Sequence, residues 1–161
     1  MFLGGGVLNS GCVQEEIRFM ICPELLVSML FTQVLNKNET VLIKGCERFS
    51  SYTGYASTFK FSNDYVDETA RDGWLRMHTE VLAMDAIYFK NPKVQFEESK
   101  IVRELNKSYS GFKYNAAELN NEQLELIKNN NFPCISTGNW GCGAFNGDRQ
   151  LKCIFFFSTL L

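Results

Sequence analysis

Apolar positions recur with helical spacing from Val13 to Leu35, where Ile17, Phe19, Met20, Ile21, Leu25, Leu26, Met29, Leu30 and Val34 make one broad face. Pro23 breaks the run. Proline suits the first turn of a helix and harms the interior, so the pattern predicts a short helix over Gln14 to Ile21 and a second from Pro23 to Leu35. Glu15 and Glu16 then fall in a first turn. Thr40 to Lys44, β-branched and ended by Gly45, predicts a buried strand, and Tyr52 to Phe61 is rich in aromatics and threonine around Gly54. Asn63 to Arg76 is polar and reads as a loop. The dense apolar run Thr79 to Phe89 reads as a core strand, with a helix left open by periodicity alone. Glu97 to Tyr109 has helix-forming composition with Ile101, Val102 and Leu105 on one face. Asn115 to Asn131 reads as a polar surface insertion with a short helical pattern around Leu124 to Ile127. Phe132 to Thr137 is a strand candidate leading into Gly138, Gly141, Gly143 and Gly147.

The 161 residues suit one domain, and 45% hydrophobic against 21% charged residues is a globular composition that argues against disorder. A net charge of −2, with Lys and Arg dispersed, offers no general pull on nucleic acid or anionic lipid, so neither direct DNA binding nor membrane association is expected. Leu151 to Leu161 is strongly apolar but shorter than the roughly 20 residues a membrane-spanning helix needs. Six cysteines without a CxxC pair, and no basic stretch followed by an apolar one at the start, point to reduced thiols in the nucleus or cytoplasm. With His78 as the one histidine and no ligand spacing among the thiols, no metal or other cofactor is expected.

Candidate chemistry begins at Gly4, Gly5 and Gly6, followed by Gln14, Glu15 and Glu16. Glycines let a ligand approach the backbone closely, and a helix starting just after them offers unpaired N–H groups to an anion such as the phosphate of a sugar or nucleotide. Successive helical residues point roughly 100° apart, so the two glutamates cannot face each other across a sugar ring as a two-carboxylate glycosidase requires. One would transfer protons while the other positions a hydroxyl or raises its neighbour's pKa, against the helix N-terminus, which favours the anion. Two solvent-facing glutamates in a first turn are the plain alternative.

A second glycine cluster, Gly138-Asn139-Trp140-Gly141-Cys142-Gly143-Ala144-Phe145, comes after the last strand candidate and would let several N–H groups converge on a diphosphate. It matches neither the Walker A pattern nor the dinucleotide fingerprint, and a turn that merely links two elements is the plain alternative. In Tyr52-Thr53-Gly54-Tyr55 a ring could lie against a flat ligand such as adenine, or pack in the core. His78 reads as structural or exposed, and the thiols lack an activating partner.

Together these segments resemble poly(ADP-ribose) glycohydrolase of the animal type. The resemblance rests on Gly4-Gly5-Gly6 with Gln14-Glu15-Glu16, on Glu16-Ile17-Arg18-Phe19 and Pro23-Glu24-Leu25, on Tyr52-Thr53-Gly54-Tyr55-Ala56, on Arg103-Glu104-Leu105-Asn106-Lys107, and on Thr137-Gly138 through Phe145. It runs from Gly4 to about Lys152, with a divergent apolar tail over 153–161. It implies an α/β fold, a macrodomain-like mixed sheet sandwiched by helices, incomplete at both ends because the family's strand before the glycines and a later core strand have no counterpart. It implies hydrolysis of the ribose–ribose O-glycosidic bond of poly(ADP-ribose), without a metal, releasing ADP-ribose. Glu16 would be the catalytic acid/base, and Glu15 and Gln14 would position the substrate riboses. Gly4, Gly5 and Gly6 and the loop Gly138, Asn139, Trp140, Gly141, Cys142, Gly143, Ala144 and Phe145 would cradle the diphosphate, with Tyr55 against the ADP-ribose unit. Partners would be poly(ADP-ribose) and poly(ADP-ribosyl)ated proteins, in nucleus and cytoplasm, in the DNA damage response. The alternatives are a weak or inactive ADP-ribose-binding fragment and, disfavoured by the adjacent carboxylates, a glycosidase of neutral polysaccharide.

Overall fold

A computed structural model describes residues 3–8, 12–113, 121–129 and 134–160. The chain divides into two compact units, Met1–Ala83 and Met84–Leu161.

The first unit opens with a glycine turn over residues 3–8 and helix α1, Gln14–Ile21. The break at Pro23 falls where proline chemistry puts it, but the next element is a 3-10 helix, Pro23–Leu30, and it stops five residues before the expected Leu35. Four strands come next: β1 Val41–Lys44, β2 Ser50–Thr53, β3 Lys60–Asp64 and β4 Glu80–Ala83. β1 pairs antiparallel with β4, Val41 opposite Ala83 and Lys44 opposite Glu80, where the two side chains form an ion pair at 3.0 Å. β2 pairs antiparallel with β3 across an irregularity between Ser51 and Tyr52. Along β1 the residues alternate between half-buried and exposed, so it is a one-faced strand and not the fully buried one expected. Its inner residue Ile43 joins Val81 of β4 and Phe59 against a core of Ile17, Phe19, Ile21, Cys22, Leu25 and Cys46. That core seats α1, and with it the two glutamates.

The polar stretch Asn63–Arg76 is largely irregular as expected, although its first two residues complete β3. The apolar run Thr79–Phe89 is strand only at Glu80–Ala83. Its remainder belongs to the second unit, where Ala86 and Phe89 are buried as irregular chain.

The second unit holds a 3-10 helix, Pro92–Phe96, and helices α2 Glu98–Phe112, α3 Asn121–Lys128 and α4 Arg149–Leu160. α2 and α3 confirm the two helical patterns read there. The insertion read over Asn115–Asn131 lies partly outside the described residues, as do the first two residues of the strand candidate Phe132–Thr137. Residues 134–137 of that candidate are irregular and exposed, so no strand feeds the glycine cluster there. α4 packs on α2, and Phe156 meets Phe112 edge to face with ring centroids 5.4 Å apart. Phe155 and Phe156 of the apolar tail are buried, whereas Ile154 and Phe157 face outward.

Candidate functional site

α1 begins after Val13, an extended residue that supplies no side-chain cap. Its first turn is instead engaged with the glycine turn. Gly4 is buried at φ +73°, a left-handed conformation that glycine adopts freely, and a side chain there would lie 2.8 Å from Met29 Sδ. The Gly4 carbonyl accepts from the Val7 N–H at 2.9 Å, closing the turn. The Gly4 N–H donates to Glu15 Oε1 at 2.8 Å, which ties the turn to the helix.

Glu16 reaches the same turn at its third glycine, Gly6. It is 9% exposed, and its Oε1 sits inside the 3.0 Å shell that a Cβ on Gly6 would need. Gly6 is therefore glycine for space, at a backbone conformation that is not left-handed. Glu16 Oε2 is buried without a hydrogen-bond partner among the described residues. A buried carboxylate oxygen left unpaired costs free energy, and such atoms mark sites where a group is bound or a proton moved.

The neighbouring carboxyl of Glu15 is held above the ordinary glutamate range. Burial is the largest cause, the Gly4 hydrogen bond pulls the other way, and the charge of Glu16 adds a smaller rise. The two adjacent carboxyls thus differ in their surroundings: Glu15 accepts from the Gly4 N–H, and Glu16 has an unpaired buried oxygen. Gln14 lies exposed at the helix start.

Tyr55 is displayed on a tight loop of the same unit. Gly54 takes φ +76°, with the Thr58 carbonyl standing where a Cβ would be. Tyr55 N–H donates to Thr58 Oγ1 at 3.0 Å and Tyr55 O accepts from that hydroxyl at 2.8 Å. The next residue, Ala56, donates its N–H to the Cys12 carbonyl at 2.7 Å, so this loop is bonded to the chain just before Gln14. Tyr55 is 54% exposed, which sets aside the core-packing reading of its ring.

In the second unit the Gly138–Phe145 loop is anchored along its length. Trp140 donates its indole N–H to the Met84 carbonyl at 3.1 Å, the Phe145 carbonyl accepts from Phe89 N–H at 3.0 Å, and Gly147 N–H donates to the Gly141 carbonyl at 2.9 Å. Gly141 takes φ +72° with a would-be Cβ 2.5 Å from Ala86 Cβ, whereas a side chain on Gly143 would meet open space. Asn139 and Ala144 are exposed, while Cys142 is half-buried with its thiol pushed up by burial, then by Asp148. Asp148 Oδ1 caps α4 through Leu151 N–H at 2.8 Å. Thr137, Gly138 and Asn139 line a cavity of about 290 Å³ with Lys152 and Phe156.

Beneath this loop runs a chain of ion pairs that the sequence reading passed over. Asp85 pairs with Arg103 at 2.7 Å and with Lys107 at 2.6 Å; Glu104 contacts both Arg103 and Lys152. Glu104 is 1% exposed and Lys152 is 2% exposed. Burial alone would raise the Asp85 carboxyl, but hydrogen bonding to Lys107 and the charges of Arg103 and Lys107 hold it below the ordinary range. Burial, then the Arg103 charge, pushes the Lys152 ammonium down to about 7, while contact with Glu104 favours its charged form. The one signal in the sequence was Glu104 and Lys107 at helical spacing beside Ile101 and Leu105, on the apolar side of α2.

His78 is exposed, and all six cysteines are free. Among the described residues no group of three or more His, Cys, Asp or Glu is placed to hold a metal ion, and no helix is long and apolar enough to cross a membrane.

Comparison with known proteins places these features in a family. The family model for poly(ADP-ribose) glycohydrolase, macro domain fold, matches residues 1–158. Poly(ADP-ribose) glycohydrolase 1 of Caenorhabditis elegans is 42% identical over 94% of this chain and 20% of its own length. Poly(ADP-ribose) glycohydrolase 1 of Arabidopsis thaliana is 36% identical over 94% of this chain and 37% of its own. Poly(ADP-ribose) glycohydrolase 2 of Caenorhabditis elegans is 38% identical over 93% and 31%. The chain thus spans between a fifth and just over a third of the length of these relatives.

Proposed function

The chain belongs to the poly(ADP-ribose) glycohydrolase family, with its macro domain fold, and from that membership we propose that it hydrolyses ribose–ribose O-glycosidic bonds of poly(ADP-ribose) and releases ADP-ribose. Glu16 serves as the acid/base. The observation that carries this reading is the buried Glu16 carboxylate, with one oxygen against Gly6 and the other unpaired.

The glycosidic bond breaks through an oxocarbenium-like centre, so the departing ribose hydroxyl needs a proton as the bond lengthens. Glu16, protonated, supplies it; the resulting carboxylate then takes a proton from the attacking water, and the acid is regenerated. A carboxyl shielded from bulk water suits both steps, because interactions with developing charge are stronger there. Glu15, which also holds Gly4 through its N–H, and Gln14, exposed at the helix start, are assigned to positioning the substrate riboses. Tyr55, exposed on a loop bonded to Cys12, offers its ring to the ADP-ribose unit. In the second unit the Gly138–Phe145 loop, held at Trp140 and Phe145 with Gly143 open to approach, is assigned to the diphosphate. On this reading the partners are poly(ADP-ribose) and the proteins that carry it, and the protein works in nucleus and cytoplasm.

Incubation of the purified protein with poly(ADP-ribose), with chromatographic detection of ADP-ribose, tests the activity. Calorimetry with ADP-ribose accompanies it: release with binding supports the glycohydrolase, binding without release leaves an ADP-ribose-binding module, and absence of both removes the family function from this chain.

A further inference from the structure

Lys152 lies one turn into α4, outside the glycine loop, yet three parts of that region meet it. Its Nζ stands 4.0 Å from the centroid of the Trp140 ring. The same atom is 3.7 Å from the position a Cβ on Gly141 would take, and Cε is 3.2 Å from that of Gly147. The ammonium is also held by Glu104, itself fixed by Arg103, which grips the Asp85 carboxylate as well. Trp140 is fixed from its other end by the bond to the Met84 carbonyl, next to Asp85 in sequence. The loop, α2, α4 and the segment around Met84 and Asp85 are thereby joined through one buried cation.

We propose that Lys152 is a positioning residue for the Gly138–Phe145 loop, its ammonium clamping the Trp140 ring so that the loop is preset for a diphosphate. The inference rests on the assignment of that loop to the diphosphate. A desolvated ammonium over an indole face is among the stronger cation–π arrangements, and a loop fixed before binding loses less freedom when the anion arrives. Glu104 keeps the ammonium in register under the ring. Gly141 and Gly147 have no side chains because Ala86, Lys152 and the loop's own backbone occupy the space around them.

The test uses the two tryptophans of the chain. Trp74 is 83% exposed, so Trp74→Phe leaves Trp140 as the single emitter. In that background Lys152→Met and Lys152→Arg are compared by acrylamide quenching of Trp140 emission, by calorimetry with ADP-ribose, and by kcat and KM on poly(ADP-ribose). Lys152→Met is expected to make Trp140 markedly more quenchable, to weaken ADP-ribose binding about tenfold, and to raise KM far more than it lowers kcat. Lys152→Arg, which keeps the charge, is expected to recover part of each. Should Lys152→Met alone fail to fold, the charge-neutral pair Lys152→Met with Glu104→Gln carries the same comparison. Unchanged quenching and affinity in a folded Lys152→Met protein, or in the pair, overturn the clamp. If the unsubstituted protein binds no ADP-ribose, the diphosphate assignment fails, and the quenching comparison still decides whether Lys152 holds Trp140.

Discussion

Glu16 Oε1 occupies the space that a side chain on Gly6 would fill. The third glycine of the turn and the second glutamate of the helix are therefore one feature, because the carboxylate reaches its buried position only where no Cβ stands. Gly6→Ala should displace the Glu16 side chain without imposing a forbidden backbone conformation, since Gly6 does not lie at positive φ. General acid–base catalysis is worth about 10²- to 10⁴-fold, so kcat on poly(ADP-ribose) is expected to fall by about a hundredfold or more. Thermal melting of the same variant checks that the loss is chemical and not a loss of fold.

Glu15 gives a pH signature. Its folded pKa lies above the ordinary value of 4.5, so between that value and the raised one the native state binds more protons than the unfolded state. Its contribution to stability is fully present below 4.5 and declines as pH rises through the folded pKa. Glu15→Gln retains an acceptor for the Gly4 N–H and removes the titration. Urea unfolding from pH 4 to pH 8 should show the variant gaining stability relative to the parent as pH rises; a constant difference would remove the burial of Glu15 from the explanation.

The ion pairs of the chain differ in what they contribute. Glu104 is buried between Arg103 and Lys152; Arg103 keeps Asp85 when Glu104 is removed, but Glu104→Ala leaves the buried Lys152 without its carboxylate and is expected to cost about 3 to 5 kcal/mol. Glu125→Ala, which removes the exposed partner of Lys128, is expected to cost about 0 to 1 kcal/mol. Denaturant midpoints of the two variants, measured side by side, should separate clearly.

Gly141→Ala meets both of the penalties that Gly6→Ala avoids in part. The residue lies at φ +72° and its Cβ would stand 2.5 Å from Ala86 Cβ. Left-handed strain costs about 1 to 2 kcal/mol and forced overpacking about 1 to 3 kcal/mol. A fall in melting temperature is expected, with ADP-ribose affinity reduced as the loop shifts.

The local part of this structure was legible in the chain. Gln14–Ile21 was bounded by the end of the apolar period and by Pro23, and the carboxylates of Glu15 and Glu16 were separated by helix geometry alone. Past Pro23 the apolar spacing predicts a helix to Leu35 and the structure holds a 3-10 helix to Leu30, because apolar spacing does not distinguish a 3-10 helix from an α-helix over so short a run. Thr79–Phe89 looked like one strand because its apolar residues are continuous, yet the buried residues beyond Ala83 are held by side chains and carbonyls far away in sequence, such as Asn146 Nδ2 donating to the Phe89 carbonyl at 3.0 Å. The Glu104–Lys152 contact spans 48 positions, and no periodicity carries such a pairing. The causes of the Glu15 shift were half visible: like-charge repulsion from Glu16 is expected from adjacency, whereas burial, the larger cause, arises only from packing.

The most direct measurement is the rate of ADP-ribose release from poly(ADP-ribose) by the protein and by Glu16→Gln, with ADP-ribose affinity measured on both. Glutamine keeps the size and an acceptor oxygen but can neither give nor regain the proton. Release is expected to fall by about 10²-fold or more while ADP-ribose affinity stays within a few-fold. Equal rates of release from the two proteins would contradict the assignment of Glu16 as the acid/base.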